Sequence, residues 1–192
     1  MELLTVDDIQ SIEAYEIDRA RMRKEMSALR ALRRINISDA CVLIFENRDT
    51  VRFQVQEMIR TERDDSRERI ALELSCFNLL VPRRNELSGT LIISVPEFSS
   101  LDERLKRMSG LTHGCLGMRV GDERIAAGFE VDDDIACESD VLYVRFSLTD
   151  EQAQLFRDEH VPAFITACHP ECSADVPLEG ELRRSLIGDL AS

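Results

Sequence analysis

The chain has 192 residues, with 24 Lys+Arg against 37 Asp+Glu and a formal net charge of −13. At 44% apolar and 32% charged residues it is globular, neither disordered nor fibrous, and long enough for one domain with a real core. No apolar run approaches the ~20 residues that span a bilayer, and Met1–Asp8 has no basic or apolar leader pattern, so the expected setting is cytoplasmic, off the membrane.

Thr5-Val-Asp-Asp8 reads as a capping box, which predicts a long helix over about 6–33. Ile35–Asp39 breaks it, and 41–46 is a short apolar strand. Asp49 or Thr50 caps a second helix to about residue 61, and Asp64-Asp-Ser66 caps a third to about residue 80, closed by Pro82. Residues 90–95 form a β-branched strand, and Ser100 caps a short helix over 101–108. Strands over 115–120 and 124–131 flank Gly121-Asp122 as a hairpin. A strand over 141–146, a helix to about 159 capped at Thr149, a strand over 161–168 and a helix over 179–190 complete the order.

This order predicts an α+β fold, with mixed α/β as the variant: one domain, about six strands, a long N-terminal helix and helices packed on the sheet. Within 1–192 the expected parts are 1–34 (N-terminal helix), 35–87 (strand plus two helices) and 88–192 (mostly antiparallel sheet with helices).

The acid is unevenly placed. Residues 1–70 hold 13 basic and 15 acidic side chains, and residues 71–192 hold 11 and 22. Such a surface repels nucleic acid and anionic membrane, and two Tyr with no Trp give little for base stacking. Only Lys24 and Lys106 are lysines among the basic residues. The six cysteines sit mostly in apolar stretches, as small buried hydrophobes do.

On a helical wheel of ~100° per residue, Val51, Val55, Met58 and Ile59 form one apolar arc, with Glu62 in its middle and Gln54 and Glu57 at its flank. Glu73 falls inside the apolar arc of the next helix. A carboxylate there must be protonated, paired or bound. Pairing with an Arg near the end of the first helix (Arg30, Arg33 or Arg34) is one reading. A metal or ligand site built from Glu57, Glu62 and Glu73 is another. Cys168-His-Pro-Glu-Cys172 offers three borderline ligands, Cys168, His169 and Cys172, for which Cys137, His113 or His160 would complete a shell. The same segment also reads as a turn fixed by Pro170, or as a redox pair. Glycine-rich nucleotide loops and a Gly-x-Ser-x-Gly elbow are absent from the sequence, and His113 beside Cys115 is the only hint of a nucleophile pair.

The run Phe45-Glu-Asn-Arg-Asp-Thr-Val-Arg-Phe-Gln-Val-Gln-Glu-Met-Ile-Arg-Thr-Glu62 resembles the hallmark of the bacterial family catalogued as domain of unknown function 3501. Tyr15, Arg19 and Arg23, the stretch Glu73–Pro82 with Glu86-Leu87 and Thr90-Leu91, the strand 141–146 and His169-Pro170 extend the resemblance over nearly the whole chain. The family's Asp-His-Pro-x-Tyr pattern is altered here, with Cys168 and Cys172 in the Asp and Tyr places, and Ser94 stands where the family carries an acid. The family has no established activity. Its genes often neighbour those of rubrerythrin-like proteins and iron–sulfur oxidoreductases, which implies an accessory role in a redox or oxidative-stress system. The resemblance directs attention to a polar cluster of Glu46, Asn47, Arg48, Gln54, Glu57, Arg60, Glu62, Glu73 and Asn78.

The expectation is therefore a non-catalytic accessory or binding protein with no cofactor, engaging a protein partner through that cluster and an acidic surface. The alternatives are a metal-dependent redox protein or metalloenzyme using Glu57, Glu62 and Glu73 or Cys168, His169 and Cys172, and a sensor for a small anionic ligand.

Overall fold

Burial alternates with period two along most of the strands, and this alternation decides the architecture. The computed structural model of the chain describes residues 2–39, 41–93, 114–129, 141–169 and 172–190. Eight strands are formed: β1 (Arg34–Ser38), β2 (Cys41–Glu46), β3 (Glu86–Ile93), β4 (Leu116–Val120), β5 (Glu123–Phe129), β6 (Val141–Ser147), β7 (Ala163–His169) and β8 (Cys172–Pro177). They make one sheet in the order β1-β2-β3-β6-β5-β4-β7-β8, antiparallel at each pairing. The edge strands β1 and β8 lie against each other, so the sheet curls into a nearly closed barrel.

Leu43, Phe45, Leu91, Met118, Phe146 and Ile165 fill the interior at zero exposure. Five helices are described: α1 (Ile12–Leu32), α2 (Arg48–Glu62), α3 (Arg67–Phe77), α4 (Asp150–Arg157) and α5 (Gly180–Leu190). Ala153 and Phe156 of α4 and Leu186 and Leu190 of α5 join the barrel core. A separate core unites Leu4 and Ile9 with Val51, Val55 and Ile59 of α2, Ile70 and Leu74 of α3, and Leu80 and Val81.

This overturns the expected fold of about six strands carrying a long N-terminal helix. The described residues form eight strands, and α1 packs against α2 rather than on the sheet. Most of Ile35–Asp39, read as a helix breaker, belongs to β1, which buries Ile35 and Ile37 and exposes Arg34 and Asn36. Residues 172–177 are β8, paired along one side to β7. The first helix starts at Ile12, after a separate 3-10 turn over Val6–Asp8, with Ser11 as its cap. The helix expected over 101–108 lies outside the described residues.

Local chemistry explains the element ends. Asn47 caps α2 by accepting from the backbone N–H of Asp49 (3.1 Å) and Thr50 (3.0 Å). Ser66 and Thr149 cap α3 and α4 in the same way. Gly121 turns the β4–β5 hairpin at φ +58. Gly89 lets β3 lie close beside β2, because a Cβ there would stand 2.8 Å from Leu43 Cδ1 and 3.0 Å from the Ile44 carbonyl.

Candidate functional site

The polar residues singled out in the sequence are distributed over the helical layer, and most serve as fasteners. Glu57, from the middle of α2, accepts the phenol of Tyr15 at 2.6 Å and a two-point contact from Arg19 at 2.8 and 2.9 Å. The Arg19 guanidinium holds the Glu57 carboxyl below the usual carboxylate range. Burial, reinforced by the Glu57 carboxylate, raises the Tyr15 phenol well above its ordinary value. One α1–α2 contact is thus a dense ionic knot around a fully buried ring.

Arg69 pairs with both Glu62 and Glu73. Glu73 is buried as the wheel predicts, whereas Glu62, the last residue of α2, is exposed. The pairing partners are therefore Arg19 and Arg69, not Arg30, Arg33 or Arg34. The three carboxylates divide between two guanidinium centres. Arg60 pairs with Glu16. Arg48 binds Asp8 at 2.7 Å and the Glu2 carbonyl at 3.2 Å. Asp8 also accepts the Thr5 backbone N–H, and with Arg48 this lowers its carboxyl to about 2. Asn78 clasps Leu4 at both backbone groups, accepting its N–H and donating to its carbonyl, each at 2.9 Å.

Glu46 ends β2 with zero exposure. Its Oε1 accepts from Thr90 Oγ1 at 2.8 Å and lies 3.7 Å from Arg30 Nη2. Its Oε2 is buried without a hydrogen-bond partner among the described residues, as is Gln54 Nε2 on α2.

At the end of β7, Cys168 points outward and is exposed, while His169 points into the barrel and is 4% exposed. Adjacent strand residues face opposite sides, so these two do not converge on one point. Cys172 lies opposite His169 in the β7–β8 register. Among the described residues no group of three or more His, Cys, Asp or Glu side chains is arranged to hold a metal ion. His113 and Cys137 lie outside the described residues.

Sequence reasoning missed two sites. The first is a cleft of about 380 Å³ between α1 and the start of α2. Met22, Met26 and Leu29 of α1 give it an apolar lining, and Asp18, Glu25 and Asp49 add carboxylates beside Arg21 and Arg52. Arg21 lies 3.2 Å from both Asp18 and Glu25, and Arg52 lies 3.6 Å from Asp49. The spacing Asp18, Met22, Glu25, Met26, Leu29 is a helical stripe, and that is the sequence signal for this face. The second is a pair of thiols, Cys115 and Cys168, that share a smaller cleft on the barrel.

Comparison with known proteins follows the same lines. Residues 3–190 match the family described as "Protein of unknown function (DUF3501)". A crystal structure of a novel protein of unknown function from Burkholderia pseudomallei K96243 is similar, at 28% identity and a TM-score of 0.90, over 98% of this chain and 100% of that one. No curated protein matches.

Proposed function

We propose that this chain, which belongs to the DUF3501 family of unknown function, is a binding protein that receives a basic, apolar-faced segment of a partner protein between α1 and α2. The observation that supports this is the cleft itself. Met26 is buried at its base, while the side chains of Asp18, Glu25 and Asp49 are 42%, 60% and 61% exposed. Unbranched methionines adapt to the shape of an incoming side chain, and an acidic rim steers a basic segment toward them. Arg21 is exposed and bridges two carboxylates, a place that a partner's Arg or Lys takes over. An anionic small molecule would meet carboxylates there, which disfavours the sensor reading. The finer reading, a partner from an iron–sulfur oxidoreductase or rubrerythrin type system, draws its support from the family resemblance and fixes which partner to look for.

The test is capture from a lysate of the source cells, comparing wild type with Glu25→Arg/Asp49→Arg. The expected result is a partner held at low salt, released as salt rises, and lost by the double variant, with a basic contact segment on mapping. Equal capture by the double variant, or an acidic contact segment, overturns the reading. An iron–sulfur or rubrerythrin-like partner supports the finer reading, and a basic partner of another kind removes it.

A further inference from the structure

We propose that Cys115 and Cys168 form a dithiol that a hydroperoxide closes to a disulfide, a redox site on the outer wall of the barrel. The pairing comes from the sheet. Leu116 faces Ala167 in the antiparallel β4–β7 ladder, and both are buried. One step beyond, Cys115 immediately precedes β4 and packs against the barrel core, while Cys168 lies on the outward face of β7; the two line the same cleft. Leu116 and Ala167, directly opposed, have Cα atoms ~4.5–5.5 Å apart, and the cysteines are the next residues on from this pair, which brings them near the span of a disulfide. Both cysteines are free, Cys168 exposed and Cys115 half-buried, and their side chains are close enough to influence each other.

They line one cleft of about 280 Å³ with Gly117, Arg124, Thr166 and Asp175. Gly117 lines the same cleft, where an added Cβ would stand 3.0 Å from the Ile125 carbonyl and 3.3 Å from Thr166 Oγ1. Arg124 places a cation on the approach. Burial and the neighbouring Cys168 sulfur push the Cys115 thiol up, so Cys115 keeps its proton while the exposed Cys168 meets the oxidant first.

The chemistry balances in two steps. The Cys168 thiolate attacks one peroxide oxygen, the O–O bond breaks, and Cys168 becomes a sulfenic acid as hydroxide leaves. The Cys115 sulfur then attacks Cys168, an S–S bond forms, the S–O bond breaks, and the departing hydroxide takes the Cys115 proton as water. In total, two thiols and one hydrogen peroxide give a disulfide and two waters. A small dithiol reverses it by exchange. This site is independent of the α1–α2 cleft, so either proposal stands if the other falls.

The test treats the reduced full chain with hydrogen peroxide and maps the products by mass spectrometry after trypsin and Glu-specific cleavage. Arg119 bounds the Cys115 peptide, and cleavage after Glu171 separates Cys168 from Cys172. The expected result is loss of two of the six thiols per chain, a Cys115–Cys168 linked peptide, and full recovery with dithiothreitol. Cys172→Ser keeps the bridge and Cys168→Ser abolishes it. Cys115→Ser leaves a Cys168 sulfenic acid that dimedone traps. A Cys168–Cys172 bridge, undiminished thiol loss in Cys168→Ser, or Cys168 oxidised to sulfonic acid in wild type without a bridge overturns the proposal.

Discussion

Arg33 and Asp189, 156 residues apart in sequence, form a buried ion pair that ties the end of α1 to α5. Arg33 is wholly unexposed. It also donates to the carbonyls of Phe45 (2.9 Å) and Glu46 (3.1 Å) and to Ser185 Oγ (2.8 Å). One guanidinium thus joins the helical layer, the end of β2 and the last helix.

Arg33→Leu strands the Asp189 carboxylate and two backbone carbonyls. The expected cost is about 3–5 kcal/mol, the usual consequence of breaking a buried pair from one side. Burial already pushes the Asp189 carboxyl above its ordinary value, with Arg33 opposing the shift, so Asp189→Asn removes a costly charge and is the milder change. Urea unfolding of the two variants measures the difference, and equal midpoints would contradict this account.

Acid weakens the fold from the N-terminal side. Asp8 and Glu57 both have carboxyls lowered in the folded state. For a lowered carboxyl the unfolded chain binds protons first, so stability is present above the unfolded pKa and lost as pH falls through the folded one. For Asp8 that window runs from its ordinary 3.8 down to about 2. The melting temperature should fall across this window, and Asp8→Asn should flatten the slope there while leaving Asp189-dependent behaviour unchanged.

Glu62 and Glu73 share Arg69 but differ in burial, which makes their substitutions unequal. Glu62→Ala removes an exposed pair and should cost under about 1 kcal/mol. Arg69→Ala leaves the buried Glu73 without its cation and should cost about 1–3 kcal/mol. A two-by-two cycle of Glu62→Ala and Arg69→Ala, followed by chemical denaturation, checks this order.

Gly89→Ala should destabilise by about 1–3 kcal/mol. The added methyl meets Leu43 Cδ1 and the Ile44 carbonyl at the β2–β3 seam. Gly188→Ala, where an added Cβ meets nothing within 4 Å, should be neutral or better, because it lies inside α5. Thermal melts of the two variants provide the comparison.

The sequence was legible where chemistry is local. Ser66 and Thr149 cap their helices as read, because capping acts over three residues, whereas the cap of α2 is Asn47 and not Asp49 or Thr50, whose backbone N–H groups it accepts. The β4–β5 hairpin shows through Gly121-Asp122, and Glu73 shows through helical period. β1 and β8 were hidden because their alternation rests on two or three apolar positions each, too few to outweigh the helix end and the Pro-containing turn beside them. Glu62 misled because a wheel takes no account of where a helix ends, and Glu62 is the last residue of α2. Arg33, Asp189 and the Cys115–Cys168 pair depend on contacts between distant segments, which periodicity along one segment does not report.

The Arg33–Asp189 tie also imposes an order on biosynthesis. The helices that build the N-terminal core leave the ribosome early and can pack on one another. The barrel cannot close until β8 arrives beside β1, and Arg33 waits for the last turn of α5 before its charge is matched. Until the final residues emerge, the nascent chain holds a folded helical layer beside an open sheet with one buried-to-be cation still in water. Loss of the last turn of α5 therefore also removes the counter-ion of the residue that caps the first helix.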